Sequence, residues 1–206
     1  AANIGKTREV SESYSVITND PVVSQDLLQY GARFVARYDR KMWTAYFELD
    51  YASGDGDPRP RTPLSQFRFA DDTNVGLLLF EHVVRHQSAL ASAAAVEITR
   101  RLGAVSFPAE RVHTRGAFTN AFAIFPQFDL RPHESLLFRF GALIAWAPEV
   151  LVDPVASLQA EDGDTIEDDL VNFVGGKPGN FYGAELDFRF QWRLFWEPQK
   201  QRHHER

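Results

Sequence analysis

The chain has 206 residues, of which 24% are charged and 44% hydrophobic, with a formal net charge of -6 and no cysteine. This length and composition suit a folded domain with a core and exclude a largely disordered chain. The acidic balance argues against a general nucleic-acid binder, and the lack of cysteine excludes disulfides, thiolate metal sites and cysteine nucleophiles.

The first residues, AANIGKTREV, contain no apolar core segment, so we do not expect them to be a signal peptide. No apolar run in the chain approaches the ~20 residues that a transmembrane helix needs. The first candidate strand is SESYSVI, residues 11–17.

Two segments with a period of two predict a pair of β-strands, 30–38 and 43–51, joined by a short turn at 39–41. Each segment has one apolar, aromatic side and one polar side. The apolar sides hold Tyr30, Ala32, Phe34, Ala36 and Tyr38, then Trp43, Ala45, Phe47, Leu49 and Tyr51; the polar sides hold Arg33, Val35 and Arg37, then Thr44, Tyr46, Glu48 and Asp50.

Residues 75–103 are rich in alanine and leucine and lack proline, and no glycine lies between Gly76 and Gly103. This composition predicts a helix over much of 77–101 that ends at Gly103. Charged and histidine residues interrupt it, so we do not expect it to span lipid. We interpret 75–103 as a helical insertion in a long loop.

Three further segments repeat the two-residue alternation, at 118–131, 136–146 and 182–196. A second short turn, at 132–134, joins the first two of them. Their apolar sides hold Phe118, Phe122, Ile124, Phe128 and Leu130; then Leu136, Phe138, Phe140, Ala142, Ile144 and Trp146; then Tyr182, Ala184, Leu186, Phe188, Phe190, Trp192, Leu194 and Trp196.

The connections alternate in length, because two short turns are separated by long stretches at about 53–116 and 148–180. Short turns on one side and long loops on the other are typical of an outer-membrane β-barrel. Each strand segment is about 10 residues or slightly longer, which is near the length of a tilted strand that crosses a bilayer.

Alternation alone does not decide which side meets the protein interior, because a soluble sandwich buries its apolar side and a membrane barrel exposes it to lipid. Two features favour the barrel. Aromatic residues bracket the apolar sides, at Tyr30 and Tyr38 for example, at spacings that match the apolar band between two aromatic girdles. The polar sides also carry full charges, which suit a water-filled lumen. A soluble antiparallel sheet with an aromatic core is the alternative.

Four stretches, ELDYASGDGDP, FRFADDTNVGLLLFEHVV, RGAFTNAFAIFPQ and VGGKPGNFYGAELDFRFQW, together resemble the carboxy-terminal part of Gram-negative outer-membrane barrels of the alginate-export type. The resemblance covers roughly residues 27–196. It implies a location in the bacterial outer membrane, contact with outer-membrane lipid, and passage of an anionic polysaccharide or small solute. Such barrels have many more strands than this sequence shows, so other chains or segments are expected to complete the wall.

The fold class predicted from these observations is all-β: an antiparallel up-and-down transmembrane β-barrel, present in part, with a helical insertion in a long loop. Residues 1–206 form one barrel domain or barrel fragment, and 197–206 form a polar tail. The insertion would lie across the barrel mouth or partly in the lumen.

Charged residues on the polar sides are the predicted pore lining. With the short turns toward the periplasm, the pore would be mostly basic at that end and acidic at the other. Arginines near the periplasmic end of the pore would attract an anionic solute. Alternatively, the charges pair across neighbouring strands and only stabilise the wall. The predicted lining residues are Arg33, Arg37, Glu48, Asp50, Arg139, Glu185, Asp187, Arg189 and Arg193.

Other chemistry has weaker support. His82 and His86 share a helical face, but no third ligand is evident, so we predict no metal site. The acidic runs at 53–58 and 161–169 do not have the spacing of a calcium loop. No nucleophile motif is present, and we predict neither an enzyme nor a cofactor. A structural barrel in a larger envelope assembly, and a soluble β-domain that binds a ligand on its polar side, remain as alternative functions.

Overall fold

The computed structural model describes residues 1–7, 24–57, 62–70, 73, 75–76, 117–152, 160, 164–167 and 180–194. Within these ranges the chain is all-β, as predicted. The six strands are β1 (Ala2–Thr7), β2 (Gln25–Asp39), β3 (Trp43–Ala52), β4 (Ala121–His133), β5 (Leu136–Trp146) and β6 (Phe181–Trp192).

The strands form one antiparallel sheet in chain order, from β1 at one edge to β6 at the other. The predicted up-and-down arrangement is therefore confirmed, while the sheet is open within the described ranges. The helical insertion, the candidate strand at 11–17 and the polar tail lie outside the described residues, apart from Val75 and Gly76. Among the described residues, no helix is long and apolar enough to cross a membrane.

The two predicted short turns are confirmed. Residues 40–42 join β2 to β3, where the Arg40 amide donates a hydrogen bond to the Trp43 carbonyl at 2.8 Å. Residues 134–135 join β4 to β5. The long connections leave the sheet at its opposite end, which we call the loop end.

Strand β1 was not predicted, because ANIGKT has no clear alternation of apolar and polar residues. Its pairing with β2 begins at Ala2 opposite Tyr30 and ends at Thr7 opposite Gln25. The pairing makes β2 longer than the segment predicted at 30–38. Backbone hydrogen bonds rather than side-chain packing therefore define this edge of the sheet.

The two faces of the sheet differ in exposure. On the aromatic face, which carries the apolar side chains of β2–β6, Phe34 is 57% exposed, Phe188 is 60% exposed and Leu186 is 86% exposed. On the opposite face, which we call the charged face, Asp129 is 0% exposed and Asp50 is 1% exposed. This is the reverse of an ordinary soluble sheet, where the apolar face is the sheltered one.

A small apolar core covers the charged face at the loop end. Small residues of the strands, including Gly31 and Ala52, leave room there for three phenylalanine rings. Phe67 and Phe69 pack edge to face at 5.2 Å between centroids, and Phe69 and Phe118 pack in the same way at 5.5 Å. We call this group of three rings the phenylalanine cap.

Hydrogen bonds hold the cap in place. The Phe67 amide donates to the Ser53 carbonyl, and the Phe69 amide donates to the Phe118 carbonyl, both at 3.0 Å. The Thr119 hydroxyl donates to the Phe67 carbonyl at 2.6 Å. These bonds satisfy the backbone polar groups that the cap removes from water.

A bulge in β6 corrects the predicted position of Tyr182. The register between β5 and β6 shifts at Ala145 and Trp146, so that Phe181, not Tyr182, lies opposite Trp146. Gly183 has a φ of 125°, which a side-chain-bearing residue rarely adopts. The Tyr182 hydroxyl instead donates to the Asn120 carbonyl at 3.0 Å, and the ring packs against the apolar core.

Candidate functional site: the charged face of the sheet

Eight of the nine predicted lining residues lie on the charged face of four strands. The strand register places Arg33 opposite Asp50, Gly141 opposite Asp187, and Arg139 opposite Arg189. Arg193 follows the end of β6 and is exposed, and its backbone amide donates to the Ser135 carbonyl at 2.9 Å. The remaining members are Arg37 on β2, Glu48 on β3 and Glu185 on β6.

The carboxylate of Asp129 is the centre of the charged face near the short turns. Arg139 donates two hydrogen bonds to it, from Nε to Oδ1 at 2.6 Å and from Nη2 to Oδ2 at 2.8 Å. Arg131 adds a third contact, at 3.1 Å from Nη2 to Oδ2. A paired, charge-assisted arrangement of this kind compensates the burial of the carboxylate.

Two further side chains extend this cluster toward β2. The Thr44 hydroxyl donates to Asp39 Oδ1 at 2.9 Å, and that carboxylate also accepts from Arg37. The Tyr46 ring lies between two guanidinium groups, with Arg37 at 5.4 Å and Arg139 at 5.6 Å from its centroid. The negative face of an aromatic ring attracts a guanidinium at this distance.

A second cluster lies nearer the loop end. Arg33 forms an ion pair with Glu48, and its Nε lies 3.5 Å from Asp50 Oδ1. The predicted separation of charge along the strands is therefore wrong for Arg33. The cause is the register of β2 and β3, which places Arg33 opposite Asp50.

The two carboxylates of β6, Glu185 and Asp187, are both buried. Asp187 lies opposite Gly141, and a β-carbon at Gly141 would lie 2.8 Å from the Phe125 ring. Glycine is therefore required at this position to leave room for that ring. Arg189 is the next residue of β6 on this face, two positions closer to the short turns. It is exposed, and its Nη2 lies 3.4 Å from the Gln191 side-chain oxygen.

Apolar residues separate the carboxylates of β3 from those of β6. Ala123 and Phe125 on β4, with Leu143 and Ala145 on β5, are buried on the charged face and belong to the apolar core. Toward the loop end, the charged face therefore has one charged region on β2 and β3 and another on β6, with an apolar strip on β4 and β5 between them. The charged regions join through Tyr46, Asp129 and Arg139 near the short turns.

The predicted site omitted residues that the structure places at its centre: Asp129, Arg131, Thr44 and Tyr46. A signal for Asp129 was available, since a hairpin with a turn at 134–135 brings β4 and β5 together near Arg139. The sequence could not define the exact partner of Asp129, because the β4–β5 register shifts between Leu130 and His133. Among the described residues, no group of three or more histidine or acidic side chains is placed to hold a metal ion.

The aromatic face behind this site is a set of cross-strand ring pairs. Trp43 stacks on Phe128 at 5.6 Å, and Phe140 meets Phe188 at 5.2 Å. Such pairs stabilise neighbouring strands beyond simple burial. The rings also form a continuous exposed apolar surface across β2–β6.

Comparison of the chain with protein-family models, with curated proteins and with solved structures gives no match. The function is therefore inferred from the two faces of the sheet.

Proposed function

We propose that the sheet is part of the wall of a β-barrel in the bacterial outer membrane and that the barrel lets polar solutes pass. One observation carries the proposal: each of β2–β6 has exposed side chains on the aromatic face, while on β3–β6 most side chains of the charged face are sheltered. Exposed apolar surfaces of this extent are covered in the native setting, and hydrocarbon covers such a surface on a barrel wall.

The strand lengths fit the same setting. Strands β3–β6 have 10 to 13 residues. At about 3.3 Å per residue and a tilt near 40°, ten residues span roughly 25 Å of an apolar layer. Tyr38, Trp43 and Trp192 lie near the short-turn ends of their strands, where half-polar rings favour the membrane interface.

The charged face would then line water. Its buried carboxylate near the short turns, Asp129, has two guanidinium partners, which suits a wall that must keep charges in place beside a solute path. The proposed cargo is an anionic solute or polysaccharide. Arg189 supports this class, because it is exposed and its hydrogen-bond partner among the described residues is the neutral side chain of Gln191.

A structural barrel in a larger envelope assembly is the second candidate. It is favoured by the ion pairs of Arg33, Arg37 and Arg139, which leave these cations balanced by neighbouring carboxylates. The phenylalanine cap favours it too, since the cap covers the charged face at the loop end. Conductance of the reconstituted protein separates the two candidates, because a structural barrel would not carry solute ions.

Membrane fractionation of the full chain tests the membrane location first. We expect the protein to stay in the outer-membrane fraction through high-salt and alkaline washes and to leave it only with detergent. Release by salt alone would contradict the proposal and support a soluble β-domain that binds a ligand on its polar side. Reconstitution into planar bilayers then tests passage, with ion selectivity compared between the parent chain and Arg189→Gln.

A further inference from the structure

The turn between β2 and β3 carries two exposed cations, Arg40 and Lys41. Among the described residues, neither of them forms an ion pair with a carboxylate. The neighbouring Asp39 is engaged elsewhere, because its carboxylate accepts from Arg37 and from the Thr44 hydroxyl on the charged face. The turn therefore presents a local positive charge that no described side chain neutralises.

The position of Arg40 places this charge on the outer side of the proposed wall. Its guanidinium carbon lies 4.9 Å from the centroid of the Tyr38 ring, which belongs to the aromatic face and is 50% exposed. A guanidinium that lies over a ring keeps its N–H donors at its own edge, where they can bind a phosphate through two parallel hydrogen bonds. The Arg40 amide also donates to the Trp43 carbonyl, which fixes the turn.

Apolar groups adjoin the two cations. Met42, in the same turn, is 54% exposed. The Tyr38 and Trp43 rings lie 5.5 Å apart between centroids, and Trp43 stacks on Phe128 at 5.6 Å. These three rings form a row on the aromatic face that runs from β2 across β3 to β4. Cations beside a row of partly exposed rings match the two parts of a phospholipid, its headgroup and its acyl chains.

We propose that the turn between β2 and β3 binds an anionic phospholipid, with Arg40 and Lys41 at its headgroup and the row of rings against its acyl chains. The inference rests on the proposed function, and it names the class of lipid at one end of the wall. Short turns of outer-membrane barrels face the periplasm, so this lipid would belong to the periplasmic leaflet.

Charge favours an anionic lipid over a zwitterionic one. A zwitterionic headgroup brings its own cation, which Arg40 and Lys41 would repel, whereas an anionic headgroup brings a net negative charge. The second short turn, at 134–135, holds Glu134 and no basic residue. The two turns at this end of the sheet therefore differ in charge, and the basic one is the candidate.

Native mass spectrometry tests the class of lipid. The full chain is folded into vesicles of equal parts phosphatidylglycerol, which is anionic, and phosphatidylcholine, which is zwitterionic, and is then extracted in mild detergent. We expect the parent to retain phosphatidylglycerol several-fold more often than phosphatidylcholine. Arg40→Gln and Lys41→Gln together should abolish this preference, since each cation beside an anionic headgroup layer contributes about five-fold. Both side chains are exposed, so the double change leaves the apolar core intact.

Lys6→Gln is the matched control for the single change Lys41→Gln. Lys6 is also an exposed lysine, but it lies at the loop end and pairs with Asp26 at 3.2 Å. Lys41→Gln should lower the retained phosphatidylglycerol several-fold, while Lys6→Gln should leave it at the level of the parent. Equal effects of the two single changes, or an unchanged preference in the double variant, would overturn the inference.

The same preparation separates this inference from the proposed function. A chain that folds into vesicles and conducts ions, but retains the two lipids equally, would contradict the lipid site and leave the function standing. A chain that folds into vesicles of neither lipid would overturn both, because the turn would then not lie at a lipid surface.

Discussion

At the scale of single residues, Asp129 joins two arginines of the charged face near the short turns. Its carboxylate is fully buried and accepts from Arg139 and Arg131. Asp129→Ala would leave a partly buried guanidinium without its partner. Loss of one member of a buried pair costs about 3 kcal/mol in the free energy of unfolding. Chemical denaturation of the folded protein in detergent measures this change.

The control for Asp129 is Asp39→Ala. Asp39 also pairs with an arginine, Arg37, but both side chains are more than half exposed. An exposed pair is screened by solvent and contributes little, so this variant should unfold close to the parent. Equal losses in the two variants would show that burial of Asp129 does not decide its contribution.

Gly31 tests how closely the phenylalanine cap packs on the sheet. A β-carbon at this position would lie 2.1 Å from the Phe67 ring, so the ring would have to move. Overpacking of this kind costs about 1–3 kcal/mol, and we expect Gly31→Ala to lower the unfolding midpoint. Gly5→Ala is the control, because a β-carbon there meets nothing within 4 Å. Similar midpoints for the two variants would argue against a closely packed cap.

At the scale of elements, the bulge of β6 depends on Gly183. A β-carbon there meets no atom within 4 Å, so space is not the constraint, but the positive φ of 125° is. Gly183→Ala should therefore cost about 1–3 kcal/mol from backbone strain alone. The same unfolding measurement with Gly5→Ala, which also adds a methyl group into open space, isolates the backbone contribution. Parent-like stability of Gly183→Ala would show that the bulge adapts without strain.

The bulge also shows what a sequence can and cannot predict for this fold. Strands β2 to β6 were predicted because each alternates over many residues, β4 less strongly than the others, and alternation follows directly from strand geometry. The face of Tyr182 was predicted wrongly, because one extra residue at a bulge reverses the alternation. Strand β1 was missed, because its pairing depends on the backbone of β2.

The ion pairs of the charged face depend on register, which alternation does not define. The two-residue alternation assigned Arg33 and Asp50 to the polar face of their strands. It did not predict that they lie opposite each other, as the register of β2 and β3 shows. The grip of Arg139 on Asp129 likewise depends on the register shift near the turn between β4 and β5. The charged residues could therefore be assigned to a face from the sequence, while their partners required the structure.

At the scale of the whole molecule, the proposed function depends on what covers the aromatic face. Phe140 lies in the middle of β5, on that face, and is exposed. If hydrocarbon covers it, Phe140→Arg places a charge near the bilayer midplane, which costs about 2–4 kcal/mol. We expect this variant to fold into lipid vesicles with a lower unfolding midpoint than the parent. If water covers the face, the same change should cost only the ring pair with Phe188, about 1 kcal/mol, and it should improve solubility without detergent.

Gln127→Arg is the matched control, because it adds the same charge to the charged face of the neighbouring strand. Gln127 lies opposite Gly141 on the charged face, and Asp187 lies opposite the same glycine on β6, where its carboxylate would offset the added charge. In vesicles, the control should therefore have an unfolding midpoint close to that of the parent, while Phe140→Arg has a lower one. The opposite ranking of the two variants would mean that the charged face is the one against lipid, and it would remove the basis for a membrane wall.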